Sequence, residues 1–204
     1  MPWEWGIGIM ADIVFRMMRR ALTPALVFLL LAQAGAAAET GGKASGFSVP
    51  AVGGARLLTD QEYLPALLDG IAGARREIAL SAFFFRTAGT TDSYPDVVLK
   101  QLLAASRRGI GIEAVLERGK EGDNVSRDNA ATAARLRDGG IRVCMDAPER
   151  TTHAKVVVID RRYLFVGSHN LTQSALKYNH EVSVLIDSPP LAEEAIRYLR
   201  SICP

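Results

Sequence analysis

The sequence predicts an α/β domain in which a mixed β-sheet carries helices on both faces. Three observations lead there. From Arg56 onward, helix-period and strand-period segments alternate along the chain. The segment at 76–85, REIALSAFFF, is an almost unbroken apolar run, the pattern of a strand covered on both sides. Three more strand patterns, at 153–160, 163–170 and 181–187, crowd together, the first two as a hairpin, which makes part of the sheet antiparallel.

The elements follow in order. Residues 59–74, TDQEYLPALLDGIAGA, set apolar side chains at helical spacing behind a capping Thr59 or Asp60. The apolar strand at 76–85 comes next. Residues 96–109, DVVLKQLLAASRRG, form an amphipathic helix stopped by Gly109. IGIEAVLE at 110–117 is a strand. SRDNAATAARLRDGG at 126–140 is a helix capped by Ser126 and stopped by Gly139. IRVCMD at 141–146 is a short strand. After the three crowded strands, PPLAEEAIRYLRSI at 189–202 closes the chain as a helix with proline at its start. No internal repeat is visible.

Of the 204 residues, 49% are apolar and 23% charged, a balance that argues against disorder. The net charge of +2 gives no bulk basic signal for nucleic acid, so any anion-binding surface must be local. Residues 1–38 read as a secretory signal peptide. Arg16, Arg19 and Arg20 precede an apolar run that ends in the small-x-small pattern Ala36-Ala37-Ala38. The strongly apolar part, 25–32, is short for a membrane span. An uncleaved anchor is the competing reading, and Met17 or Met18 competes with Met1 as the start. Residues 39–55 are rich in Gly, Ser and Ala and read as a flexible lead-in. A single folded domain, 56–204, is expected in the periplasm or outside the cell. That setting permits a disulfide between Cys144 and Cys203. The plainer expectation is a buried free thiol at Cys144 and an incidental one at Cys203.

The chemistry gathers at HAKVVVID, 153–160. An imidazole and an ammonium open a strand that is otherwise core-like. Alternation along a strand sets His153 and Lys155 on one side, about 7 Å apart at the backbone, and Asp160 on the other. With Arg161 and Arg162 as a two-residue turn, Asp160 opposes Tyr163, Lys155 opposes Ser168 and His153 opposes Asn170. A one-residue slip would scatter the group. The patch suits a tetrahedral anion: Lys155 brings charge, Ser168 and Asn170 bring donors, and His153 brings a nucleophile or an acid. Glu181, opening the next strand, is the carboxylate expected to orient the imidazole.

HAKVVVIDRRYLFVGSHN resembles the HxKxxxxD…GSxN pattern of the phospholipase D superfamily. His153, Lys155 and Asp160 match its HKD motif, Gly167, Ser168 and Asn170 match its GSxN, and Glu181 matches the acidic position that follows in many members. Upstream, YLPALLDGIAGARREIALSAFFF and LLAASRRGIGIEAVLE look like the helix–strand units of the short single-motif endonucleases and cardiolipin hydrolase-like members. The resemblance covers about residues 56–200 and implies a phospholipase D-like αβα sandwich. It also implies phosphodiester cleavage without metal or other cofactor. One histidine attacks phosphorus, a second protonates the leaving oxygen, and Lys and Asn side chains hold the non-bridging oxygens. The family uses two HKD motifs, and this chain has one. His169 and His180 lack the following lysine, so the resemblance implies a homodimer in which two copies of His153 meet.

Each feature also has a plainer reading. His169 and His180 read as structural or solvent-exposed, Asp160 as a structural turn or ion-pair group, and Phe83-Phe84-Phe85 as core strand. The three histidines match no compact metal-ligand spacing. Arg118, Lys120, Arg127 and Arg150 fall in loops suited to rim the site and guide a polyanion, or are ordinary solvated surface. The leading expectation is an exported nuclease acting on DNA or RNA with little sequence preference. The alternatives are a phospholipase acting on phosphatidyl lipids or cardiolipin, and an inactive module binding nucleic acid or anionic lipid. No amphipathic lipid-facing segment stands out in the sequence.

Overall fold

The computed structural model describes residues 54–147 and 149–203. The expected signal segment and all but the last two residues of the expected lead-in lie outside the described residues. The order of elements is β1 (Ala55–Thr59), a 3-10 turn (Asp60–Glu62), α1 (Tyr63–Gly73), β2 (Glu77–Ala82), α2 (Tyr94–Arg107), β3 (Gly111–Leu116), α3 (Asn124–Asp138) and β4 (Arg142–Met145). Then come β5 (Lys155–Ile159), β6 (Tyr163–Gly167), α4 (Gln173–Lys177), β7 (Val182–Asp187) and α5 (Pro189–Ile202).

The strands form one mixed sheet in the order β1-β7-β6-β5-β2-β3-β4. β2, β3 and β4 are parallel, and every other neighbour is antiparallel. One end of the sheet therefore collects the C-terminal ends of β1, β2, β3, β4 and β6 with the N-terminal ends of β5 and β7. Side-chain alternation divides the core in two. Ile78, Leu80, Val157, Ile159, Phe165 and Leu185 face the helices α1 to α4. Ala79, Val158 and Leu164 face the other way, onto Ala192, Ile196 and Leu199, a stripe of α5 at helical spacing.

Several expectations need correction. The β5–β6 connection has one residue more than expected. Ile159, not Asp160, pairs with Tyr163, and the ladder runs on to Val156 opposite Val166. The turn is made by Asp160 and Arg161, both at positive φ (56° and 55°), and the Arg162 N–H closes it on the Ile159 carbonyl at 3.1 Å. Left-handed backbone costs a non-glycine residue energy, and the Asp160 side chain supplies the offset. Its carboxylate accepts the N–H groups of Arg75 (2.9 Å), Arg76 (2.8 Å) and Glu77 (3.2 Å), which lead into β2. In this chain the Asp160 carboxylate is thus spent on the backbone that leads into β2.

β1 went unread because its five residues bury only Leu58. α4 went unread because a five-residue helix shows no period. α3 starts at Asn124, capped by the Asp123 carboxylate on the Ser126 N–H at 2.6 Å, so Ser126 is inside the helix. The two cysteines are not free: Cys144 and Cys203 form a disulfide across 59 residues, tying β4 to the chain just beyond α5.

Candidate active site

β5 begins at Lys155, so His153 stands two residues before it rather than within it. The two side chains meet all the same. The Lys155 ammonium donates to His153 Nδ1 at 3.2 Å and to the His153 carbonyl at 2.8 Å. His153 is exposed and Lys155 partly buried. Burial lowers the Lys155 pKa, and the nearby Glu181 carboxylate partly restores it.

Despite the slipped register, these residues stay at one end of the sheet, because β6 ends at Gly167 and the chain beyond it is steered by other bonds. Ser168 stays on β7: its N–H reaches the Val182 carbonyl at 3.0 Å, its hydroxyl accepts from the Val182 N–H at 3.1 Å and donates to Glu181. Gly167 permits this approach, since a Cβ there would overlap Ser183 and the Val182 carbonyl. The chain then swings toward β2. The Leu171 N–H donates to the Phe84 carbonyl at 2.9 Å, and the Arg86 N–H to the Leu171 carbonyl at 3.0 Å. Asn170 is carried along to the same end of the sheet, with its buried Oδ1 lacking a hydrogen-bond partner.

Glu181 does not touch His153 in this chain. Its carboxylate is taken by Ser168 and by the Asn179 side-chain amide at 3.0 Å. Within one chain, Lys155 is the group that lies against Nδ1, and Glu181 meets the patch through Ser168 and through its field at Lys155. His169 is buried between Ser183 Oγ (2.8 Å from Nδ1) and the Asp60 carbonyl (2.9 Å from Nε2), stacked on Tyr63 with ring centroids 4.3 Å apart. Burial lowers its pKa, and both nitrogens are occupied, so it is a structural histidine. His180 is exposed, with Nδ1 3.2 Å from Asp60 Oδ2.

The model of the family described as cardiolipin synthase, PLD-like domain, matches residues 67–203. The chain belongs to this family. Its PLD-like domain is 29% identical over 121 residues to a phospholipase D of Rickettsia prowazekii, covering 59% of this chain and 55% of that protein. The chain thus spans about half the length of that curated relative. Among solved structures, the phospholipase D family member Nuc from Salmonella typhimurium superposes with a TM-score of 0.61 at 23% identity, covering 72% of this chain and 93% of that one. NucT from Helicobacter pylori gives 0.57 at 20% identity, covering 72% and 94%. These structural likenesses establish a shared fold.

Two residues of the PLD-like site were not anticipated as its members. Phe83, read as core, sits half-buried against His153 and Lys155: its ring centroid is 4.4 Å from that of His153, and Lys155 Nζ is 4.9 Å from it. The sequence hint was its place one residue beyond β2, where the strand runs out of core. Asp60, read as a helix cap, instead fixes Glu181. Its carboxylate accepts the Glu181 N–H at 2.9 Å and its own N–H donates to the Glu181 carbonyl at 2.9 Å. A contact across 121 residues leaves no trace in local pattern.

Proposed function

We propose that this chain is an exported phosphodiesterase working through a phosphohistidine, and that it cuts nucleic acid with little sequence preference. The observation that carries the reading is the exposed His153 imidazole 3.2 Å from the Lys155 ammonium, at the sheet end that also carries Ser168 and Asn170. His153 of one copy attacks phosphorus, and the P–O bond to the leaving group breaks. His153 of a second copy, as the imidazolium, protonates the departing oxygen and becomes the neutral base. The second imidazole then takes a proton from water, which displaces phosphorus from the first. Lys155 and the Asn170 amide hold the non-bridging oxygens as charge builds. A chain with one HKD motif supplies two such histidines by forming a homodimer. Export is supported by the residues after Arg16 and by the Cys144–Cys203 bridge, which persists in oxidising compartments.

The nucleic-acid reading draws on Arg86, Arg118, Lys120, Arg127 and Arg150. All are exposed, in the segments that follow β2, β3 and β4 at the sheet end that carries the site. A second reading, a phospholipase, draws on apolar groups at the same end: Val166 (38% exposed) precedes Gly167-Ser168, and Val182 (48% exposed) follows Glu181. The test is one preparation offered both substrates in EDTA. Cleavage of plasmid DNA or RNA that disappears in His153→Ala supports the nuclease. Head-group release from phosphatidylglycerol or cardiolipin vesicles without nucleic-acid cleavage moves the assignment to lipid. Binding of either without turnover ends the catalytic reading.

A further inference from the structure

The β4–β5 connection crosses the sheet, because β4 pairs with β3 at the edge while β5 pairs with β2 near the middle. Its last stretch carries His153, outside any strand. Two acids anchor that stretch. Glu117 follows β3 and Asp146 follows β4, and they are 6% and 1% exposed. One donor, the backbone N–H of Thr152, faces both: it lies 2.5 Å from Glu117 Oε2 and 3.0 Å from Asp146 Oδ2. The other oxygens accept from the Gly119 N–H (2.9 Å, Glu117 Oε1) and the Arg118 N–H (2.8 Å, Asp146 Oδ1). The Arg118 guanidinium spends its bond on the Asp146 carbonyl (2.9 Å), and the Asn129 amide donates to the Glu117 carbonyl (2.8 Å). Among the described bonds, none brings a cationic side chain to either carboxylate. Two buried carboxylates converging on one N–H cannot both hold a negative charge cheaply.

We propose that Glu117 and Asp146 share one proton and, through the Thr152 N–H, fix the backbone that presents His153. Both are positioning residues, and this role rests on the reading of His153 as the reacting group. The shared proton lies between an acid at the end of β3 and an acid at the end of β4, and the bonded N–H belongs to the residue before His153. The device therefore locks three strand ends and the reacting imidazole into one arrangement. The electrostatics agree: burial raises the Glu117 pKa, the hydrogen bond to Asp146 raises it further, and the Gly119 and Thr152 N–H groups pull against them.

The sign follows from linkage. A carboxyl whose pKa is raised by folding contributes its stability fully below the unfolded value, about 4.3, and loses it as pH climbs through the folded value. Glu117→Gln mimics the protonated acid at every pH, because its amide N–H donates to Asp146 while Asp146 Oδ2 keeps the Thr152 N–H. The melting temperature of Glu117→Gln minus that of wild type is therefore expected to grow, by about 2 °C or more, between pH 4.5 and pH 9. Hydrogen exchange at the Thr152 amide is expected to stay slow in Glu117→Gln and to accelerate at least tenfold in Glu117→Ala. In turnover, Glu117→Gln should keep kcat within about threefold, while Glu117→Ala loses about a hundredfold in kcat with KM little changed. If Glu117→Ala does not fold, Asp146→Asn against Asp146→Ala gives the mirror comparison. A pH-independent melting difference overturns the shared proton. Equal kcat in the Gln and Ala variants overturns the positioning role. The melting and exchange measurements need no substrate, so an inactive wild-type protein would sink the phosphodiesterase reading while leaving the proton pair decided on its own terms.

Discussion

The HKD motif divides its labour between two ends of one strand. His153 and Lys155 stand at the open end of β5, with an aromatic neighbour, Phe83, that packs on the imidazole and lies under the ammonium. Asp160 stands at the closed end, where its carboxylate gathers three consecutive backbone N–H groups ahead of β2 and supports a left-handed turn. The two ends should answer differently to alanine. Lys155→Ala should leave melting within about a degree of wild type and lower kcat by about 10²–10³, the usual loss for a donor that stabilises developing charge. Asp160→Ala should do the reverse. It frees N–H donors and removes the side-chain support for positive φ, a loss of about 2–3 kcal/mol, while the residual folded protein keeps most of its turnover per active site. Urea titrations beside kcat measurements on both variants read the contrast directly. Equal catalytic loss in the two would mean that Asp160 reaches the chemistry after all.

At the scale of elements, the decisive junction is β6 against β7. Gly167 is the last residue of β6, and the space where its side chain would stand is filled by Ser183 and the Val182 carbonyl. That contact is also what brings Ser168 onto Glu181. Gly167→Ala should push the strands apart at this point, lowering stability by about 1–3 kcal/mol and kcat by more than tenfold. A fully active, fully stable Gly167→Ala would show that the junction yields at little cost. The same junction explains what the sequence could and could not tell. The spacing of His153, Lys155, Gly167, Ser168 and Asn170 was legible because both strands are short and directly connected. The register was not, because the turn uses Asp160 and Arg161 at positive φ, and neither residue type announces that conformation as Asn-Gly would. Among the described residues, seven strands and five α-helices came from patterns of which the alternating, buried ones were readable in advance. β1 and α4, each five residues long, were too short to carry a period. Asp60, Glu117 and Asp146 reach their partners across the fold, so nothing near them in the sequence marks their roles.

For the whole molecule, the proposed function raises the question of how a chain with one HKD motif would complete a reaction that the proposed mechanism divides between two histidines. The site lies at an end of the sheet: among the described residues His153 and Ser168 are exposed, and apolar Val166 and Val182 flank the patch. The Cys144–Cys203 bridge stiffens the far side, tying β4 to the end of α5, and a loop of that length is worth about 4 kcal/mol against the unfolded chain. The proposed homodimer would bring the His153 of a second copy to this exposed end of the sheet. A shared site makes a prediction that independent sites do not. Wild-type and His153→Ala chains are unfolded, mixed in equal amounts and refolded together, so that subunits pair at random. If each reaction needs His153 from both chains, only wild-type pairs work, and about one quarter of the activity of an all-wild-type sample survives. If each chain works alone, about one half survives. The same ratio should hold for either phosphodiester substrate, because it counts histidines and not ligands. A result near one half would remove the partner's imidazole from the mechanism and require the acid to be found within a single chain.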